Sequence, residues 1–285
     1  IMADLLSISV GTLFMAALAP GLLLATCYLV YISTIAKIKP EVAPPLPAEL
    51  LYVPKEELPS LLLKSFIPPV FLIAFIKGSI LFGFATPSEA GAVGAFGALF
   101  LGWVKGRLNW EFLKGVCEAT GLTIAMIFFI IICATAFAYV FRSLGGDDVV
   151  EGLVFGAGLD SWGLLFLIMG IVFVLGFILD WIEITLIILP VFTPMVVGLE
   201  FGDHVGGEEM IFWFTILVAI NLQTSFLTPP FGYALFYLKS IAPAEVKTTS
   251  IYKGIIPFVI LQMSVLALVI WQPNITLWLP RIVYD

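Results

Sequence analysis

Residues 222–243, LQTSFLTPPFGYALFYLKSIAP, begin as an apolar membrane helix and cannot finish as one. Pro229 and Pro230 remove two adjacent backbone donors and block helical hydrogen bonding, and Gly232 follows at once. Hydrocarbon cannot satisfy the carbonyls freed by the break, and each costs several kcal/mol if left bare. Broken backbone at membrane depth is tolerated only where protein packs around it or where it lines a polar cavity. Transporters use such breaks to bind ions and substrates.

Composition puts the break in a membrane. Of 285 residues, 61% are hydrophobic and 12% charged, and the mean hydropathy is +1.13. That demands several spanning helices of about 20 residues each. A net charge of −7 argues against a nucleic-acid partner. His204 is the single histidine, which nearly excludes a histidine metal site or catalytic triad. Cys27, Cys117 and Cys133 lie far apart in apolar context and are expected to be buried small hydrophobes. The opening IMADLLSISV lacks the basic region and cleavage site of a signal peptide. It starts on Ile1, so the chain is expected to belong to a longer protein.

Apolar runs predict spans over 8–31, 61–84, 88–104, 116–141 and 254–272, with the broken span over 210–243. Pro20-Gly21 should kink the first. The third is rich in small residues, which allow close helix approach in lipid. Residues 40–60 read as an exposed Pro-rich connector, with a short surface helix after Pro54. An apolar pair, 162–179 and 182–198, is separated only by Asp180-Trp181.

Charge sets the orientation. Lys37, Lys39, Lys55 and Lys64 precede the second span; Lys105, Arg107 and Lys114 follow the third; Lys239, Lys247 and Lys253 precede the last. The positive-inside rule places these groups in the cytoplasm. The segments bearing Asp147, Asp148, Glu151 and Asp160, and Glu200, Asp203, Glu208 and Glu209, are acidic and read as external. Both ends of 160–200 are then external. Either two full helices cross and return, or the chain enters partway and comes back. The second reading, a re-entrant hairpin, is preferred because a cytoplasmic turn at 180–183 would carry no Lys or Arg.

Asp180 and Glu183 are the only acids between Asp160 and Glu200. An ionisable group inside a membrane is a functional hypothesis, and hard cations take carboxylate, hydroxyl and carbonyl oxygens. The competing reading is a helix cap or an ordinary turn. Thr185 and Thr193 have the ordinary alternative of bonding back to their own helix. Thr224, Ser225 and Thr228 cluster before the double proline, where hydroxyls and freed carbonyls would form an oxygen cage. A half-helix starting near Gly232 would favour an anion at its N-terminus. Thr86-Pro87-Ser88-Glu89 fits a capped helix start, which structure alone explains.

Three strings together resemble one known family: FATPSEAGAVGA (84–95), LGFILDWIEITLIILPVFTPM (175–195) and LTPPFGYALFYLKSIAP (227–243). They are similar to the large membrane subunit of tripartite ATP-independent periplasmic (TRAP) transporters, and ALAPGLLLATCYLVYI (17–32) resembles the start of that subunit's second half. The wording of the second and third strings is closest to the mannitol, chloroaromatic or 2-oxoacid subgroup. The resemblance implies an all-α polytopic membrane protein, the second inverted repeat of an elevator-type ion transporter, with a re-entrant hairpin and a Pro-Pro-broken helix. One hairpin and one break are present, so the first repeat is expected to be missing. The implied segments are a first helix and connector (1–39), scaffold helices (40–143), a transport domain (144–243), and a last helix with external C-terminus (244–285).

The implied function is sodium-coupled uptake of small organic acids, without enzymatic chemistry and with no cofactor besides sodium. The implied partners are a soluble substrate-binding protein and a small membrane subunit, separate or fused, in the prokaryotic inner membrane. Sodium ligands are expected from Gly176, Asp180, Thr224, Ser225, Thr228 and Pro229. Substrate contacts are expected from Glu183, Thr185, Pro230 and Gly232. The nearest rival is a direct sodium/carboxylate symporter without a binding protein. An intramembrane aspartyl protease needs two opposed carboxylates, and Glu183 is too close to Asp180 to oppose it. A structural scaffold leaves the double-proline break unexplained.

Overall fold

The computed structural model describes residues 1–41, 57–156, 158–228, 234–235, 238–239, 242 and 246–284. Among them every regular element is helical. After the single turn α1 (Met2–Leu5) come α2 (Val10–Ile38), α3 (Leu58–Leu81), α4 (Pro87–Val104), α5 (Trp110–Ser143) and α6 (Gly146–Gly156). Then follow α7 (Ser161–Leu175), α8 (Trp181–Val197), α9 (Glu209–Leu227), α10 (Thr248–Trp271) and α11 (Asn274–Tyr284). Helices α2, α3, α5 and α10 are long and apolar enough to cross a membrane. The short helix expected after Pro54 instead begins α3, which passes through a π-helical turn at Leu62–Phe66. Helix α2 continues through Pro20 rather than ending there. The short helices α6 and α11 lie outside the predicted spans.

The chain forms two compact units, Ile1–Leu29 with Ile127–Asp285, and Val30–Met126. In the second unit, α3 packs against α4 through small residues, as the composition of α4 predicts. A Cβ at Gly94 would lie 2.7 Å from Ile76 Cδ1, closer than packed carbons allow. Thr86 caps α4, with Glu89 Oε2 accepting from Thr86 N at 2.7 Å. Much of this unit's surface is apolar, including Phe71, Phe75, Phe96 and Phe100, as bilayer-facing helices require.

The first unit is built around α9, a helix apolar on all sides and buried along most of its length. Helices α7, α8, α10 and α11 pack against it. Trp213 is fully buried and stacks edge-on with Trp162 and Phe201, with centroids 6.4 and 5.3 Å away. Its indole N–H donates to Val269 O at 3.0 Å. That carbonyl would ordinarily pair with the N–H of residue 273, which is a proline. His204 Nε2 likewise donates to Ile270 O at 2.8 Å, since a carbonyl only accepts. The single histidine therefore caps a helix end.

At the start of α9, Glu209 forms two 2.6 Å bonds with the Arg281 guanidinium. Those bonds hold the Glu209 carboxyl below its ordinary pKa, helped by the Arg281 charge and opposed by burial. A lowered carboxyl contributes stability above its unfolded pKa and loses it as pH falls through the folded value. Thermal unfolding should show a small cost of Glu209→Gln at pH 7 that fades as pH falls below 4.5.

The cysteines correct a sequence expectation. Cys117 and Cys133 on α5 are exposed, and Cys27 is half-buried. In a membrane protein the outside is apolar too, so an apolar context does not predict an interior position.

Candidate functional site

Helices α7 and α8 form a hairpin closed at its base. Asp160 caps α7, accepting from Gly163 N at 2.8 Å, and Glu200 N donates to Ser161 Oγ at 3.2 Å. Buried Gly176 ends α7, and residues 176–180 make the tip. Asp180 adopts the extended backbone of a helix cap (φ −76°, ψ 159°), and Glu183 Oε2 accepts from its N–H at 3.3 Å. Asp180 and Glu183 form a capping box at the start of α8, which is the capping role weighed for this pair. Both side chains are half-buried.

The threonines divide. Thr193 donates back to Leu189 O, as expected. Thr185 does not: it is fully buried, and its hydroxyl has no hydrogen-bond partner among the described residues. A buried hydroxyl in that state has its whole bonding capacity available to a ligand.

Helix α9 ends where the prolines require. Thr228 is extended (φ −97°, ψ 134°), as the residue before a proline prefers. Thr228 Oγ1 donates to Thr224 O at 2.9 Å, and Thr224 Oγ1 to Asn221 O at 2.6 Å. Each hydroxyl has spent its one proton on its own helix and retains oxygen lone pairs, the groups a cation would use. Thr224 and Thr228 are buried, at 2% and 7% exposure respectively, at the carbonyl end of α9, where the helix dipole also favours a cation. The Ser225 side chain and Pro229, Pro230 and Gly232 lie outside the described residues.

Two contacts set the register of α7 and α9. Trp162 on α7 meets Trp213 on α9, and Asn221 Nδ2 donates to Met169 O at 2.7 Å, a separation of 52 positions. The two helices therefore run in the same direction. The same separation puts Gly176 level with Thr228 along the helix axes, which brings the hairpin tip to the height of the α9 C-terminus. Among the described residues no hydrogen bond or ion pair joins Asp180 or Glu183 to Thr224 or Thr228, so each group is organised by its own element.

Sequence reasoning missed two residues that support this site. Gln262, 1% exposed on α10, donates to Gln223 Oε1 at 3.1 Å and ties α10 to α9 beside Asn221. A lone glutamine inside an otherwise apolar span was the available signal. Arg142 donates to Pro190 O at 2.8 Å. Pro194 lacks the N–H that would serve that carbonyl. Arg142→Ala should therefore lower the unfolding temperature, and Pro194→Ala should reduce that penalty by restoring a backbone donor. Additive effects in the double variant would contradict this pairing.

The described residues thus form a multi-helical protein, four of whose helices are long and apolar enough to cross a membrane, in which a short helix pair packs against a proline-terminated central helix. Residues 1–275 match the family described as "Tripartite ATP-independent periplasmic transporter, DctM component", and the chain belongs to that family. It is a transporter permease family, not an enzyme family. Over 96% of its length the chain is 30% identical to the C4-dicarboxylate TRAP transporter large permease protein DctM of Pseudomonas aeruginosa. It is 28% identical over 94% to the 2,3-diketo-L-gulonate TRAP transporter large permease protein YiaN of Escherichia coli. It is 26% identical over 95% to the isethionate TRAP transporter permease protein DctMQ of Oleidesulfovibrio alaskensis. The chain spans 60%, 59% and 40% of these relatives' lengths, respectively.

Proposed function

We propose that this chain is the second repeat of a TRAP large permease that takes up small organic acids with sodium. The observation that carries the reading is the family match over residues 1–275. The substrates named for the relatives above, C4-dicarboxylate, 2,3-diketo-L-gulonate and isethionate, are organic anions, and the same chemical class is assigned here. A soluble binding protein delivers the substrate, and a small membrane subunit accompanies the large one in the inner membrane.

Residues 144–243 act as the moving transport domain of an elevator. The hairpin α7–α8 is re-entrant and enters from the external side. Its helices have 15 and 17 residues, roughly 22 and 25 Å, against a hydrocarbon core of about 30 Å. Sodium is held between tip and break by oxygens of Gly176, Asp180, Thr224, Ser225, Thr228 and Pro229. The substrate contacts Glu183, Thr185, Pro230 and Gly232, with the buried Thr185 hydroxyl as donor to its carboxylate. The C-terminus is external.

A cysteine placed at position 180 should react with impermeant thiol reagents only from outside, and slowly. Strong labelling from the cytoplasmic side would replace the hairpin with two full crossings. Uptake by the reconstituted transporter containing this chain should stop when the binding protein is omitted. Undiminished uptake would assign the chain to the direct symporters.

A further inference from the structure

Helix α11 follows α10 after only Gln272-Pro273, and its two faces differ. Thr276, Leu277 and Pro280 turn inward and are buried, with Leu277 at 2% exposure. The Glu209–Arg281 pair, and a 2.8 Å bond from Arg281 Nη1 to Asn274 Oδ1, fix the helix's rotation. The outward face carries Trp278, Ile282 and Val283, exposed at 46%, 69% and 48%. Trp278 and Ile282 are one turn apart and form a continuous apolar stripe.

That stripe extends a lipid-facing surface. Helix α10 has 24 residues, about 36 Å, enough to cross the hydrocarbon core. Its exposed Ile256 and Ile260 lead up to Trp271, its last residue, which is 74% exposed. Water around α11 would leave two tryptophans and two β-branched side chains unburied at one end of the unit. The membrane interface resolves this, because an indole ring buries its apolar body there and keeps its N–H hydrated.

We propose that α11 is an interfacial anchor, lying in the outer bilayer surface with Trp271, Trp278 and Ile282 inserted among lipid headgroups and upper acyl chains. Its outer placement rests on the orientation given under Proposed function. Through Arg281 and Glu209 the anchor sets the height of the α9 N-terminus relative to the bilayer.

Spin labels at single cysteines test this in the full-length transporter containing this chain, after its native cysteines are replaced. The transporter would be reconstituted in phosphatidylethanolamine/phosphatidylglycerol vesicles. Trp278→Cys and Ile282→Cys should collide several-fold more with oxygen, and several-fold less with a water-soluble nickel chelate, than Asp203→Cys in the acidic loop. Leu277→Cys should be shielded from both reagents. If Trp278→Cys disturbs folding, Val283→Cys serves, since its side chain is also exposed. Labels at 278 and 282 that behave like 203 would make α11 water-exposed and overturn the proposal. Labels that behave like 277 would mean that protein covers the stripe, which overturns it equally. Impermeant thiol reagents should label Asp203→Cys from outside; labelling only from inside would overturn the orientation, and with it the outer placement, independently of the depth readings.

Discussion

Asp180→Asn, in the transporter that contains this chain, should raise the sodium concentration for half-maximal uptake about tenfold, a loss of about 1.4 kcal/mol in ion binding. The substitution keeps an oxygen and the side chain's shape and removes only the charge. Asparagine caps helices as well as aspartate does, so the start of α8 and membrane insertion should be preserved. Thr228→Val is the companion variant. It removes an oxygen at the carbonyl end of α9 together with the 2.9 Å bond to Thr224 O, and it should raise the sodium requirement by a smaller factor. Unchanged sodium dependence in both variants would remove tip and break from the ion site.

The largest effect on stability is expected at Trp213. Trp213→Ala should cost about 3–5 kcal/mol, the range for truncating a large buried aromatic side chain. The indole is fully buried where α7, α9 and α10 meet, and its loss also strips Val269 O of its donor. Trp213→Phe separates the two contributions. It retains most of the packing and should cost only about 1–3 kcal/mol, the penalty for an unsatisfied buried carbonyl. Thermal unfolding in detergent measures both variants. An alanine variant as stable as the parent would show that this junction does not hold the unit together.

Much of this architecture is legible from elementary chemistry. Two prolines end α9 at Leu227 and hold Thr228 extended, and Thr86-Pro87-Ser88-Glu89 starts α4 where the capping pattern predicts. The hairpin helices appear within a residue or a few of their predicted limits, because apolar runs bounded by Asp160 and Asp180 mark their starts.

Other features depended on distance in sequence. No local pattern pairs Arg142 with Pro190, Asn221 with Met169 or His204 with Ile270. Each is a polar group meeting a backbone carbonyl of a distant helix, two of them near prolines that interrupt helical bonding. The common direction of α7 and α9 follows from the external placement expected of both 160 and 200, whereas their register, 52 positions apart at the Asn221–Met169 contact, emerges only from packing. The exposed cysteines show the opposite failure, in which a soluble-protein rule was applied to a surface that faces lipid. At the site, hydroxyl clusters and acids could be read from the chain, whereas the different states of Thr185 and Thr193 could not.

The most direct test of the central claim is uptake of labelled organic acids into proteoliposomes. The transporter containing this chain would be reconstituted with its small subunit and binding protein, with and without an inward sodium gradient. The account predicts uptake only when both the sodium gradient and the binding protein are present. Uptake that proceeds at the same rate without sodium would contradict it.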